Sequence, residues 1–386
     1  MFESKNSTAP QGDIPEENMK TQRKSLLMRV AGAPSQDLEE KARAAADEAF
    51  KEQPIGARRY KHEGNVLEKF FGGKKLKDIE KPHSPEDRHL IQILNEELEG
   101  FVRRYQGQPV QIPDQAVHFI DIHIDRLDPR TRDEIFGASG KREKSKQLSV
   151  AFYNVGDKAI VVNNLAVPAE HPLMRAHILA HEMLHINSFQ SASFDASVSA
   201  EENGRVPAWR RCGIHMAVDG THDAFKGLNE AITEEMTKKF MQEKLSHRSE
   251  FADDLNSTEK FKEKLAEEKH LTYADGSVMR TDDLFFGIDD GTELQFDYFI
   301  YAEERGALRA MMQKIQETYP DKFASEEDVF NEFARAYFSG RLLALARLVE
   351  GAYGEKSFAA IGRDLVGFIT AHERAHADPG PDQRVG

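Results

Sequence analysis

Apolar residues recur at helical spacing along SPEDRHLIQILNEELEGFVRRY (84–105), with Ser84 placed to cap a helix and Pro85 suited to its first turn. The pattern then shortens. AVHFIDIHID (116–125), KQLSVAFYNVG (146–156) and KAIVVNN (158–164) read as strands, the last two flanking a turn with Gly156 and Asp157 and so forming a hairpin. Helical spacing returns in VPAEHPLMRAHILAHEMLHINSFQ (167–190), with Leu, Ile and Met on the buried face. Residues 191–223 read as an excursion: polar and glycine-containing through GRVPAWRR, then GIHMAV as a short strand, then DGTHDAF.

From FKGLNEAITEEMTKKFMQEKL (225–245) onward the chain reads as mainly helical. The charged STEKFKEKLAEEKH (257–270) fits a solvated surface helix, and DGSVMRTDDLFFGIDDGTE (275–293) a loop or short hairpin. Four helical stretches follow: LQFDYFIYAEERGALRAMMQKIQETY (294–319), SEEDVFNEFARAYF (325–338), RLLALARLVEGAYG (341–354) and SFAAIGRDLVGFITAHERAHA (357–377). Before all this, residues 1–33 are polar and read as flexible, DLEEKARAAADEAFKEQ (37–53) as an exposed helix, and the basic 72–82 segment as a solvated connection. The expectation is an α+β protein: a flexible segment (1–33), a helical N-terminal region (34–110), a sheet and long helix with an insertion (111–223), a helical C-terminal part (224–377) and a flexible tail (378–386).

Composition narrows the function more than the fold. The chain has 386 residues, 31% of them charged, with a formal net charge of −14, which argues against nonspecific binding to nucleic acid or an anionic membrane. The lone Cys212 excludes an intramolecular disulfide framework and a cysteine-based zinc site, and its partly apolar surroundings read as a buried structural thiol. No apolar run approaches transmembrane length, and the first residues lack a basic region followed by an apolar core. A cytoplasmic protein is the default expectation, with signal-independent export left open.

The chemistry concentrates in HEMLH (181–185). His181 and His185 are four apart, so on a helix they project from one face, with Glu182 beside them. Two imidazoles on one zinc, with a carboxylate next to activated water, is the metalloprotease arrangement. Two protein ligands leave a catalytic zinc short by one. The best third candidate is Glu230 in GLNEAITEE (227–235), a later helix, with Glu234 four residues on along the same face. Glu234 is placed to accept the far N–H of a zinc histidine, and Asn229 to make a local hydrogen bond.

HEMLH followed by NEAITE (229–234) closely resembles the gluzincin class of zinc metallopeptidases, whose pattern is HExxH and then NExx(S/T)(D/E) on a later helix. The resemblance implies one Zn2+ per chain on His181, His185 and Glu230, Glu182 as general base, and Glu234 as support for a ligand. It implies a zincin-like metallopeptidase core, with a mixed sheet and an active-site helix, followed by a mainly helical C-terminal lobe. The substrate would be an extended peptide or protein, laid along an edge strand for which KAIVVNN stands in the expected place. The gap between the motifs is longer than in compact members, so 191–223 would shape or cover the cleft. The Gly-Ala-Met-Glu-Asn motif of many aminopeptidases is missing.

Tyr301, in DYFIYAEE (297–304), is the first candidate to donate a hydroxyl to a developing oxyanion, with Tyr298 available one turn earlier on the same expected helix. His270, His372 and His376 are further possible donors, although the last two read better as part of a solvated helix. His118 and His123 fall on opposite faces of one strand and do not readily share a ligand. His177, four before His181, points the same way one turn up and reads either as support for a ligand or as a surface residue. Two other readings compete with a peptidase: a noncatalytic, zinc-stabilised interaction protein whose cleft is blocked, and a helical protein whose motifs arose by chance. In the last case His181 and Glu230 would lie far apart.

Overall fold

A computed structural model describes residues 80–121, 151–154, 159–167, 169–193, 208–217, 223–268, 281–289 and 294–377, all within one compact unit, Ile55–Gly386. The expected segments 1–33, 37–53 and 378–386, most of 72–82, and His123 and His270 lie outside them. The architecture is mixed α+β.

The first sheet runs β1 (Glu80–Lys81), β2 (Val117–Ile120), β4 (Ala159–Asn163), β3 (Ala151–Asn154). β2 and β4 are parallel, from Val117 opposite Ile160 to Ile120 opposite Asn163, while β1 and β3 pair antiparallel with their neighbours. The expected hairpin is present, with Ala151 opposite Val162 and Asn154 opposite Ala159. Its second strand is not the edge. β4 lies between β2 and β3 and is buried at every residue, as its unbroken Ala-Ile-Val-Val run demands of a strand covered on both faces. Among the described residues the edge beside it is β3, whose Ala151, Phe152 and Tyr153 are half-buried.

Helix α1 (Pro85–Arg104) starts as its sequence predicts, with Ser84 and Asp87 each accepting the other's backbone N–H. Asp87 also pairs with the buried Arg175 of α2 (Pro172–Asn187), fastening the two helices. α2 is buried around nearly its whole circumference, including His177, His181, Glu182 and His185, which is the mark of a central helix rather than a surface one.

The excursion after α2 is ordered structure in its described parts. β5 (Gln190–Ser193), β6 (Ala208–Cys212), β7 (His215–Ala217) and β8 (Asp223–Ala224) form an antiparallel sheet in chain order. α3 (Lys226–Phe240) then runs beside α2 and passes into a π-helical turn, Met241–Leu245. α4 (Ala252–Glu268) covers a hairpin of β9 (Leu284–Asp289) and β10 (Leu294–Tyr298), where the Phe261 ring fills the space over Gly287. Residues 294–298 were expected to open a helix. They form a strand instead, paired antiparallel with β9 from Leu294 opposite Asp289 to Tyr298 opposite Leu284; the alternation of Leu294, Phe296 and Tyr298 with Gln295 and Asp297 was the sequence signal for it. α5 (Ala302–Thr318), α6 (Glu326–Ser339), α7 (Leu342–Tyr353), α8 (Ser357–Arg363) and α9 (Leu365–Ala377) complete the helical part. The last two divide at Asp364, where one helix was expected. His372 of α9 packs against Tyr353, their ring centroids 4.6 Å apart.

One buried ion cluster clamps α3 to α5 and the hairpin. Arg305, 1% exposed, donates to Glu235 at 2.8 Å, Asp283 at 2.6 Å and the Phe299 carbonyl at 3.1 Å. Lys238 adds a bond to Asp283 at 3.0 Å. Burial alone would push the Asp283 carboxyl up, but Arg305 and Lys238 bring it down from 3.8 to about 2. Its stabilising contribution is therefore complete above 3.8 and is lost as pH falls through about 2. Arg305→Ala leaves Glu235 with Arg309 and Asp283 with Lys238 and Arg309, and is expected to cost about 1.5–3 kcal/mol at neutral pH, read by urea denaturation. A cost below about 1 kcal/mol would show that the cluster is not what holds α5 to α3.

Candidate metal centre

α2 and α3 bring together the side chains that the two motifs single out. The Nε2 atoms of His181 and His185 lie 3.2 Å apart, and Glu230 Oε2 lies 3.4 Å from the first and 3.3 Å from the second. Tetrahedral coordination at the usual zinc bond lengths of about 2.0–2.1 Å requires donor atoms separated by about 3.3 Å. This triangle of donors is thus the face of such a tetrahedron, and the residues fit a zinc ion. Among the described residues, no other His, Cys, Asp or Glu joins this group.

Glu234, with no solvent exposure, sits one turn beyond Glu230. Its Oε2 accepts from His181 Nδ1 at 2.7 Å, and its Oε1 from His177 Nε2 at 2.9 Å and the Ile300 backbone N–H at 2.8 Å. Burial pushes this carboxyl up; the two imidazoles and their hydrogen bonds overcome it and hold the group far below the ordinary range. His177 is therefore a buried partner of Glu234 rather than a surface residue. Because His181 Nδ1 must donate to Glu234, the neutral ring carries its lone pair on Nε2, the atom in the donor triangle.

The carboxylates of the site set the charge of the ligand rings. Burial disfavours the His181 imidazolium, yet Glu230 and Glu234 raise it to about 9, so the metal-free pocket keeps a proton among its carboxylates. A metal ion would displace that proton on binding. Glu230 shows the counterpart: burial pushes it up, while His185 and His181 hold it well below the ordinary carboxylate value.

Glu182 is 9% exposed, and its carboxyl is raised by burial despite the opposing pull of His181 and His185 and a hydrogen bond from the Tyr153 backbone. That bond brings the candidate base against edge strand β3. Tyr301 precedes α5 in the left-handed region (φ 59°), and its ring stacks on His181 with centroids 6.0 Å apart and planes 20° from parallel. Burial first, then Glu230, Glu182 and Glu234, push its hydroxyl well above the ordinary value, so it keeps its hydrogen. Tyr298 does not stand one helical turn away, as its sequence position predicted; it closes β10 at a bulge.

Asn229 reaches away from the ligands. Its Oδ1 accepts from the backbone N–H groups of Ile214 at 3.0 Å and His215 at 3.3 Å, fastening the β6–β7 turn to α3. Gly213 makes that approach possible. Its φ is +61°, and a Cβ there would meet Asn229 Oδ1 at 2.4 Å and the Tyr337 ring at 2.6 Å. Two participants escaped the sequence reading. Tyr337 looks like one more aromatic of the α6 core, yet its hydroxyl lies 3.3 Å from His185 Nδ1. His215 pairs with Asp223 at 3.3 Å; burial lowers it, while Asp223 and Glu230 pull the other way. Neither carries a motif.

Comparison with protein-family models, with curated proteins and with solved structures finds no match to this chain.

Gly213→Ala is expected to cost at least about 1–2 kcal/mol from the left-handed backbone alone. It should also weaken zinc binding, by displacing Asn229 or Tyr337. Calorimetric unfolding beside a zinc titration checks both, and unchanged values would mean that the turn adapts freely.

Proposed function

We propose that this protein is a zinc-dependent peptidase that hydrolyses extended peptides or proteins. The observation that carries the reading is the triangle of His181, His185 and Glu230 donors, 3.2–3.4 Å on each edge, with Glu182 adjacent on the same helix. Three protein ligands are the catalytic pattern, whereas structural zinc sites usually have four. His181 and Glu230 touch, which speaks against a chance pair of motifs. The gluzincin resemblance rests on the same residues together with Glu234.

His181, His185 and Glu230 would hold the ion. When bound, zinc supplies Lewis-acid polarisation of a carbonyl and makes water a usable nucleophile near neutral pH. Glu182 takes the proton from the attacking water and delivers it to the departing amine. Its raised basicity, a consequence of burial, suits both transfers. Tyr301 keeps its hydrogen and donates it to the oxygen on which negative charge develops. Glu234 holds His181 in place throughout.

Among the described residues β4 is interior to the sheet, so an extended substrate would lie beside the Tyr153–Glu182 contact and not pair with β4 itself, with backbone hydrogen bonds giving affinity with little side-chain selectivity. Among the described residues no helix is long and apolar enough to cross a membrane. The formal charge of −14 disfavours nucleic acid as a partner.

Zinc-loaded protein incubated with a diverse peptide mixture should produce new termini by mass spectrometry, and Glu182→Gln should abolish them while binding zinc as the unaltered protein does. His181→Ala should abolish both. Stoichiometric zinc binding without cleavage of any peptide or denatured protein would overturn the enzyme in favour of a noncatalytic metal-stabilised interaction protein.

A further inference from the structure

We propose that Tyr337 of α6 is a positioning residue of the metal centre, fixing His185 through a hydrogen-bond chain that ends on the backbone of α3. This rests on the zinc reading above and assigns a role to a residue outside both motifs, 152 positions after the histidine it touches.

Three contacts define the chain, and its direction follows from the zinc reading: with Nε2 turned to the ligand triangle, His185 carries its hydrogen on Nδ1. Thr233 Oγ1 lies 2.8 Å from the Asn229 carbonyl oxygen, an atom that can only accept. In that arrangement the single Thr233 hydroxyl hydrogen goes there. Tyr337 Oη lies 3.0 Å from Thr233 Oγ1, so the phenol donates and the threonine oxygen accepts. With its own hydrogen spent, Tyr337 Oη can only accept from His185 Nδ1, 3.3 Å away. The chain thereby holds the His185 hydrogen on Nδ1 and the Nε2 lone pair toward the triangle.

Glu234 imposes the same tautomer on His181, but with a charge; Tyr337 does it with a neutral oxygen. The difference is one of net charge. Glu182, Glu230 and Glu234 already crowd the site, and a fourth carboxylate behind His185 would add repulsion without further neutralisation. Tyr337 itself is held rigidly. It is fully buried, its carbonyl accepts from the Phe189 N–H at 3.0 Å, and its ring lies over Gly213. The Cys212 thiol also lies against the His185 ring. Sulfur is a weak acceptor, and this one is 3.2 Å from Ser188 Oγ and 3.6 Å from the His185 carbonyl.

The test is zinc affinity of the full chain, measured by competition with a chromophoric chelator, for the unaltered protein, Tyr337→Phe, Thr233→Val and the double variant. Thermal midpoints of the metal-free forms are recorded alongside. Tyr337→Phe keeps the ring and is expected to weaken zinc binding by about 10- to 100-fold. Thr233→Val should weaken it less, and the double variant no more than Tyr337→Phe, because the two hydroxyls act in series. A purely structural role would lower the metal-free midpoint and leave zinc affinity within about twofold, overturning the proposal. Fully additive losses would overturn the series. If Tyr337→Phe does not fold, Thr233→Val decides by itself: a several-fold loss supports the chain and unchanged affinity overturns it. An unaltered protein that binds no zinc would overturn the metal centre itself, a result distinct from one in which only the Tyr337 dependence fails.

Discussion

The buried carboxylate of Glu234 is the constraint around which the rest is arranged. An ionised carboxylate without solvent is tolerated only when donors replace its lost water, and here there are three: His177, His181 and the backbone of Ile300. They come from α2 and from the segment that leads into α5, while Glu234 itself is on α3. One charge thus sets how closely two helices approach and where the Phe299–Tyr301 segment crosses them. Glu230 follows by helical geometry. It lies one turn earlier on the same face, and the spacing that satisfies Glu234 delivers it to the Nε2 atoms of His181 and His185.

α3 departs from the usual amphipathic pattern because it is buried nearly all round, so that its polar residues are turned inward along with Leu228, Ile232, Met236 and Phe240. Glu230 and Glu234 face α2. Glu235 and Lys238 face the cluster around Arg305 and Asp283. Asn229 and Thr233 face the β6–β7 turn and Tyr337. Each direction is a set of satisfied hydrogen bonds to a different element, so rotation or sliding of the helix would break several at once. Buried polar networks of this kind select one arrangement among many that hydrophobic burial alone would permit.

That all-round burial bears on what could be read from the chain. His181, Glu182 and His185 are one local pattern, and Glu230 and Glu234 another; each spacing has meaning on a single helix, and both were legible. The strand at 117–120, the 151–154 and 159–163 hairpin and most helices also followed from local periodicity. Relations between distant segments did not. The interior place of β4 depends on β2 lying beside it in parallel, although its unbroken apolar run was the available signal. The alternation in 294–298 was subordinated to the helical pattern that follows it. Tyr337 left no signal, because a hydroxyl on a core aromatic gains meaning only when α6 meets the end of α2.

Under the proposed zinc reading, the hydrophobic core would relieve the metal of any duty to hold the fold. It runs continuously from Leu90 and Phe101 of α1 through Leu179 and Met183 of α2 to Phe330 and Phe333 of α6, and its apolar side chains are almost wholly withdrawn from water. A core of that extent sustains the fold on dispersion and hydrophobic burial, which small metal-dependent domains lack. The donor triangle sits at its polar margin, where α2 and α3 expose their charged faces to each other. A metal there has no large folding deficit to offset, so the ligand geometry is free to serve reactivity. Placing the charged chemistry between two helices that the core already holds is what lets four titratable side chains, His181, Glu182, His185 and Glu230, remain close together without unfolding the protein around them.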